Sequence, residues 1–343
     1  MTTASTPRRI LAGMACAALV VATTSAQATW QQEASMSHPR LGFGSVSHGG
    51  KLYAFFGIDD LGNYLTDFDV FDPVTGTWSL NTSSSFHGLK RSNVRAVSLN
   101  GFIYVLGGTA PGVSYADVWR YEPCTDSWKV CASMPASRIN SGVVAMSGKI
   151  YVLGGRSWPG WTYHNTVFVY DPTRDYATSP FPAWTPGVPH PGRLVFISGH
   201  NELGDCSALA RGGQVVVMGG MTGSGGFSDA VDEVWLFAPD ATVGGPAWTY
   251  AGSMPLANFG LALQNLYGFT VGTGGHGAWT GSVYNPLSTG YAFPTPTALA
   301  SPLTTQMPVP AEGSGVIDGR IYIFGGQTGW GTGTHGQCWS FQD

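Results

Sequence analysis

One recurring pattern restricts the possible folds of this chain more than any other: a pair of glycines closing an apolar run, held at a constant distance behind an arginine. Arg138, Gly148, Tyr151, Gly154 and Gly155 repeat the spacing of Arg91, Gly101, Tyr104, Gly107 and Gly108. Arg40, Gly50, Tyr53 and Gly57 keep the same register, with Phe56 in place of the first glycine of the pair. Further copies run through Gly213, Gly219 and Gly220, and through Gly319, Tyr322, Gly325 and Gly326. A degenerate fifth copy reads from Phe259 to Thr273, with Val271, Gly272 and Thr273 standing in for the apolar residue and glycine pair. Six units result, at a period of about 50 residues, the signature of units that bury their faces on one another.

Each unit continues into a β-type run that ends near a proline, from Asp67 to Pro73, Asp117 to Pro123, Thr166 to Pro172, Asp232 to Pro239 and Ser282 to Pro286. An aromatic residue follows each: Trp78, Trp128, Trp184, Trp248 and Tyr291. β-branched and aromatic residues interrupted by Asn-Gly, Ser-Gly and Asp-Gly turns predict four short antiparallel strands per unit. The ordered series of apolar-Gly-Gly, Tyr-Asp-Pro, Trp and Ser-Met-Pro resembles the kelch repeat, and the resemblance extends over residues 29–343. It implies an all-β, six-bladed propeller. The last unit stops at its third strand, at Cys338 to Asp343. Its missing outer strand is predicted at the other end of the chain. Trp30 precedes Met36 as Trp128 precedes Met134 and Trp248 precedes Met254, and Met36 precedes Arg40 as Met134 precedes Arg138. Residues Trp30 to Met36 are therefore expected to close the ring and to remove a free sheet edge.

Residues 1–28 combine Arg8 and Arg9, an apolar stretch from Ile10 to Ala22 and a small-residue end at Ala26 to Ala28, which predicts a secretory signal. The stretch is shorter than the ~20 residues that span a bilayer. The arginine pair suits either the general or the twin-arginine route. The expected product is a secreted or periplasmic single domain, residues 29–343, without membrane insertion and monomeric. Of the 343 residues 43% are hydrophobic, and twelve are tryptophans, which excludes disorder. A formal charge of −4, without a basic run, excludes a nucleic-acid partner. No cofactor is predicted, and no Cys/His spacing suits a metal. Cys124 and Cys131 flank a predicted hairpin turn, where an oxidising compartment permits a disulfide; two unpaired thiols are the alternative.

Tight turns are expected on one face and long glycine-rich connections on the other, and the second is where function is expected. Candidate ligand-binding aromatics there are Trp158, Trp161, Tyr163, Trp279 and Trp330, with His164, His276 and His335 among them. Arg40, Arg91 and Arg138 share one register before the innermost strand and are expected near the channel mouth. Asn93, Asn140 and Asn258 are read two places later. In kelch proteins that bind peptides, arginines at this place contact acidic groups of the partner, so the resemblance implies an acidic glycan or protein ligand here. The other reading pairs these arginines within or between blades. Exported bacterial kelch propellers also include sialic acid epimerases, a distant resemblance that keeps a sugar epimerase or mutarotase activity open. His200, Glu202 and Glu312 are the candidate acid/base residues for that reading. A protein-interaction scaffold is the third reading.

Overall fold

In the computed structural model, the described residues are 29–82, 90–160, 162–191, 206–224, 227–240, 246–266, 269–279, 284–286, 290–293, 301–302, 308–309, 311–327 and 333–342. The signal-like residues 1–28 lie outside them. The described chain is an all-β propeller, with one 3-10 turn at Pro172–Arg174 and no helix long and apolar enough to cross a membrane.

Its strands form six four-stranded antiparallel sheets, together with four two-stranded hairpins. The first sheet contains Gly44–His48, Lys51–Phe55, Phe68–Asp72 and Thr77–Asn81. The second contains Arg95–Leu99, Phe102–Leu106, Val118–Glu122 and Ser127–Cys131, and the third Gly142–Met146, Lys149–Leu153, Val167–Tyr170 and Trp184–Pro186. The fourth has Ser207–Arg211, Gln214–Met218, Glu233–Phe237 and Trp248–Ser253; the fifth has Ala262–Leu266, Phe269–Thr273, Gly290–Phe293 and Ser301–Pro302. In the sixth, Gly313–Ile317, Arg320–Gln327 and Thr334–Gln342 are joined by Thr29–Glu33, which places Trp30 opposite Phe341.

The sequence of the second strands explains the stacking. Leu52 to Phe55, Ile103 to Leu106, Ile150 to Leu153, Val215 to Met218 and Ile321 to Phe324 are buried without alternation, because neighbouring sheets cover both of their faces. Outer strands such as Thr77–Asn81 are largely exposed. Core clusters accordingly lie between consecutive sheets, as where Tyr53, Phe55 and Phe68 meet Ile103, Val105 and Tyr121. A cluster of the same kind joins Phe324 and Cys338 of the sixth sheet to Leu52 and Phe71 of the first, with Met36 and Phe43 between them.

The glycine pair is a sheet-to-sheet joint. Gly107 and Gly108 have φ of +62° and +92°, and a Cβ on Gly107 would run into the Arg138 carbonyl of the next sheet. The amide of the second glycine donates to the carbonyl at the arginine place of the following unit: Gly57 to Arg91, Gly108 to Arg138, Gly220 to Asn258 and Gly326 to Arg40. Outer strands are linked in parallel fashion by tryptophan. The indole N–H of Trp184 donates to Ala132, that of Trp248 to Val188 and that of Trp78 to Ala34.

The fifth unit differs from its expected register by two residues. Gly274 and Gly275, at φ +69° and +83°, are its glycine pair, rather than Gly272 with Thr273. Asn258 consequently stands in the arginine place. The Ser282 to Pro286 run is also not a third strand: Tyr284–Pro286 pairs with His276–Trp279 as a hairpin, and the third strand is Gly290–Phe293, which contains Tyr291.

The cysteine hairpin carries no disulfide. Cys124 sits in the turn, exposed, and Cys131 is buried at the far end of its strand opposite Val118; both are free thiols. A strand advances about 3.4 Å per residue, so Ser127–Cys131 separates the two well beyond the roughly 4.4–6.8 Å between α-carbons that a disulfide spans.

His190 makes a stability prediction at the edge of the fourth sheet. Its ring packs edge-on against Trp235 and Trp248, and only 5% of the residue is exposed. Burial lowers its pKa from 6.5 to about 4. Above pH 6.5 the imidazole is neutral in both states. As pH falls towards 4 the unfolded chain takes up a proton that the folded chain refuses, so stability drops across that window by about 3 kcal/mol. His190→Phe keeps the backbone bonds to Asn165. Urea unfolding at pH 7 and pH 4.5 is expected to show a smaller loss for the variant than for the natural chain.

Candidate functional site

The inner strands of the six sheets surround a channel of about 320 Å³. Its wall is mostly small and hydroxylic, with Ser45, Ser98, Ser141, Ser207 and Ser314 among the lining residues and Gln264 beside them. Two of its residues carry charge, Arg95 and Glu312. Both belong to the end of the channel where the inner strands begin, the end that also receives the long connections. These connections include the hairpins Thr109–Ala110 with Val113–Ser114, Arg156–Ser157 with Thr162–Tyr163, and Met221–Ser224 with Phe227–Ala230. The opposite end has two-residue turns in which Asn100-Gly101, Ser147-Gly148 and Asp318-Gly319 all adopt positive φ. That is the geometry that Asn-Gly and Asp-Gly steps favour.

Glu312 precedes the inner strand of the sixth sheet, aligned with Ser141 as the sequence suggests. One carboxylate oxygen accepts the Gly42 amide at 2.6 Å, tying this sheet to the entry of the first. Burial raises its pKa, against the opposing pull of that amide and of the Arg95 charge. Arg95 opens the inner strand of the second sheet and donates through Nε to the Ser141 carbonyl at 2.9 Å. Sequence reasoning missed Arg95, although a signal existed. The same strand position is Gly44, Gly142, Ser207, Ala262 and Gly313 in the other units, so one long cation replaces a small residue where the strands crowd the axis.

The three register arginines are not at the mouth, which corrects their predicted role. Arg40, Arg91 and Arg138 are 0%, 2% and 4% exposed. Each side chain turns back into its own sheet. Arg40 binds the Phe56 carbonyl, Asp67 and Asp69, the last at 2.6 Å. Arg91 binds the Gly107 carbonyl and both oxygens of Asp117, and lies 4.2 Å over the Tyr115 ring. Arg138 binds the Ser137 carbonyl and the Thr166 hydroxyl, and lies over the Phe168 ring. Desolvating a guanidinium demands fixed partners, and the head of the third strand supplies them before any ligand arrives.

Asn258 imitates an arginine: it is fully buried and donates from Nδ2 to the Gly274 carbonyl, as Arg91 does to Gly107. Asn93 and Asn140 hold left-handed backbone, φ +55° and +52°. Their amides continue a chain of bonds from sheet to sheet, Asn93 to the Gly42 carbonyl at 2.5 Å and Asn140 to the Asn93 carbonyl at 3.4 Å. Short amide side chains tolerate that conformation, so these two are positioned as backbone turns.

The aromatics divide. Trp158 is 37% exposed on the third unit's hairpin, and its backbone exchanges hydrogen bonds with the Ser114 hydroxyl of the neighbouring hairpin. Tyr163 is buried against Met221 and Phe259 beneath the hairpins. His164 meets the Ser157 hydroxyl at 2.9 Å, and its pKa is lowered to about 4, by burial and then by the Arg138 charge. Trp279 ends a described strand, but its side chain lies outside the described residues, as do Trp161, Trp330, His200 and Glu202. No group of three or more His, Cys, Asp or Glu that could hold a metal occurs among the described residues.

Comparison with known proteins agrees with the repeat. Residues 14–155 match the KLHDC2/KLHL20/DRC7 Kelch-repeats domain, and residues 137–176 match the Kelch motif. Kelch-like protein 35 of Mus musculus is 34% identical over 123 residues, which cover 36% of this chain and 20% of that protein. Kelch-like protein 36 of Bos taurus is 27% identical over 186 residues, covering 50% and 27%. Kelch-like protein terF of Aspergillus terreus is 31% identical over 161 residues, covering 43% and 32%. These matches span a third or less of each relative. A solved structure titled "Structure of YjhT" superposes with a TM-score of 0.70 at 14% identity, covering 91% of this chain and 99% of that one, which shows a shared fold. Repeat spacing, glycine-pair joints and the matches over residues 14–176 together support a kelch-repeat family.

Proposed function

We propose that this protein is an exported recognition module, a six-bladed kelch ring closed by the strand at Thr29–Glu33, which binds an acidic segment of a protein or glycan at the hairpin-bearing mouth of its channel. Kelch propellers typically mediate protein interactions, and the hairpins offer a rim for that purpose. The observation that carries the acidic preference is Arg95, a guanidinium at the channel wall in a place that every other unit fills with glycine, alanine or serine. A guanidinium fork recognises carboxylates through paired hydrogen bonds. The surrounding serines suit the remaining oxygens of such a ligand. Trp158, exposed on the hairpin-bearing end, offers a flat apolar surface there.

The test is a binding screen of the mature chain against acidic and neutral peptides and against uronic and neutral oligosaccharides. Arg95→Ala is expected to weaken the selected acidic ligand about 10- to 100-fold, the range of a charged hydrogen bond. Glu312→Gln keeps an acceptor for the Gly42 amide while removing a negative charge from the mouth, and is expected to strengthen the same ligand several-fold. Unchanged affinity in Arg95→Ala would remove the basis of the reading. Export is tested separately, by fractionating cells and sequencing the amino terminus of the product, which is expected to begin at Thr29.

A further inference from the structure

Four of the second strands carry a tyrosine at their third place, Tyr53, Tyr104, Tyr151 and Tyr322, each at most 5% exposed. Two of these phenols are held by an arginine of the same sheet, Tyr104 by Arg120 and Tyr322 by Arg320. The hydroxyls of Tyr53 and Tyr151 have no hydrogen-bond partner among the described residues. Each of these two tyrosines instead lines a groove at the end of the ring that carries the two-residue turns. The residue opposite the tyrosine decides the difference: it is Arg120 in the second sheet, but Val70 in the first and Val169 in the third. The Arg120 guanidinium lies 4.0 Å over the Phe102 ring, and the residues that match Phe102 are Lys51 and Lys149. A stacked arginine and phenylalanine thus occupy the positions that leave grooves open on either side. These measure about 790 Å³ between the first and second sheets and about 520 Å³ between the third and fourth. Both fall within the roughly 300–1,000 Å³ of small-molecule clefts.

The two grooves offer the same groups at matching places. Each has a lysine ammonium, a tyrosine hydroxyl and the outer-strand hydroxyl of Ser79 or Thr185, over a valine floor and against Pro123 or Pro239. Each also holds acid beside base. Lys51 pairs with Asp72 at 3.0 Å, with Asp126 on the same groove wall, and Asp240 shares the second groove with Lys149. The opposed charges offset one another, so neither groove selects a charged ligand. What remains is a mixed set of donors and acceptors around an apolar floor, and a buried hydroxyl ring that only a visiting group or water can complete. A neutral pyranose has the matching pattern, hydroxyls at its edge and C–H groups on its faces. We propose that these grooves are two equivalent binding sites for a neutral hexose unit of a glycan, distinct from the acidic ligand assigned to the channel mouth.

Saturation-transfer NMR of the mature chain with maltose, cellobiose, lactose and mannobiose tests the sites, and soaked crystals locate the sugar. At least one disaccharide is expected to bind, with density in both grooves. Tyr53→Phe together with Tyr151→Phe keeps both rings, and is expected to weaken that sugar about 2- to 10-fold, the range of one neutral hydrogen bond per site. Lys51→Phe with Val70→Arg copies the second sheet's pair into the first groove, and Lys149→Phe with Val169→Arg copies it into the other. Either pair is expected to empty its own groove alone, and the two together to abolish binding; the tyrosine variants keep the test intact if these fold poorly. Arg95→Ala is expected to leave the neutral sugar unaffected, which separates these sites from the mouth. The absence of binding by all four disaccharides at high millimolar concentration overturns the proposal. So does binding that persists undiminished in the double tyrosine variant, or that disappears in Arg95→Ala.

Discussion

A chain lacking residues 29–36 is expected to lose its cooperative melting transition and its near-ultraviolet circular dichroism. The deleted residues make five pairings with Thr334–Gln342, and Trp30 packs 5.1 Å from Phe341. Met36 is 4% exposed within the cluster that joins the sixth and first sheets, and its amide donates to the Gly336 carbonyl. The Trp78 indole would lose its acceptor on Ala34, and the Ser340 hydroxyl would lose Glu33. Burying two such side chains is worth about 1.5–3 kcal/mol each, and the orphaned hydrogen bonds add to the cost. The sum approaches the whole stability of roughly 5–15 kcal/mol that a folded domain possesses. A sheet deprived of its outer strand also exposes an edge that invites association. Size-exclusion chromatography of the truncated chain should therefore show aggregates, and a synthetic 29–36 peptide added during refolding should restore some monomer. An unaltered melting temperature would contradict the closure at this seam.

The sequence was most legible where backbone conformation restricts residue choice. Glycine pairs at the sheet-to-sheet joints and Asn-Gly or Asp-Gly turns need positive φ, so they mark the strands on either side without any helical rival. The pairing of Thr29–Glu33 with Thr334–Gln342 was legible for a related reason: Trp30 and Met36 keep the offsets found inside the chain at Trp128 and Met134. The fifth unit was misplaced by two residues because strand side chains alternate with a period of two, and a slip of two leaves the apolar pattern unchanged. Met254 to Asn258 repeats the interval from Met134 to Arg138, and that interval contained the correction. The arginines failed differently. A repeat register says which residues are equivalent, but not whether the side chain turns outward to a ligand or inward to Asp67 and Asp117. That choice follows from which acids stand at the head of the third strand. Arg95 is not legible from the repeat because it departs from what the units share, a small residue at the first position of the inner strand.

Replacing each register arginine by methionine is expected to cost stability in the order Arg40, Arg91, Arg138. Methionine preserves most of the side chain's volume, so the difference between variants lies in the carboxylates left behind. Arg40→Met strands Asp69, whose side chain is wholly buried, together with Asp67; breaking a buried pair from one side costs about 3–5 kcal/mol. Arg91→Met leaves Asp117, whose side chain is 27% exposed and recovers part of its solvation, so about 2 kcal/mol is expected. Arg138→Met leaves no acid behind, since its side-chain partners are the Thr166 hydroxyl and the Phe168 ring, and should cost least of the three. The pH dependence provides a second readout. Burial pushes the Asp117 carboxyl up, and the Arg91 guanidinium, together with the Trp119 indole and a backbone amide, more than reverses this, leaving it below its ordinary value of 3.8. A lowered folded pKa means that the pair's contribution is complete above that ordinary value and disappears as pH falls through the folded one. Acid titration of stability should therefore be steeper for the natural chain than for Arg91→Met. Adding Asp67→Asn and Asp69→Asn to Arg40→Met should recover much of the loss, because the penalty belongs to the abandoned charges. Equal costs for all three arginines, or no recovery in the triple variant, would show that the side chains act through packing alone.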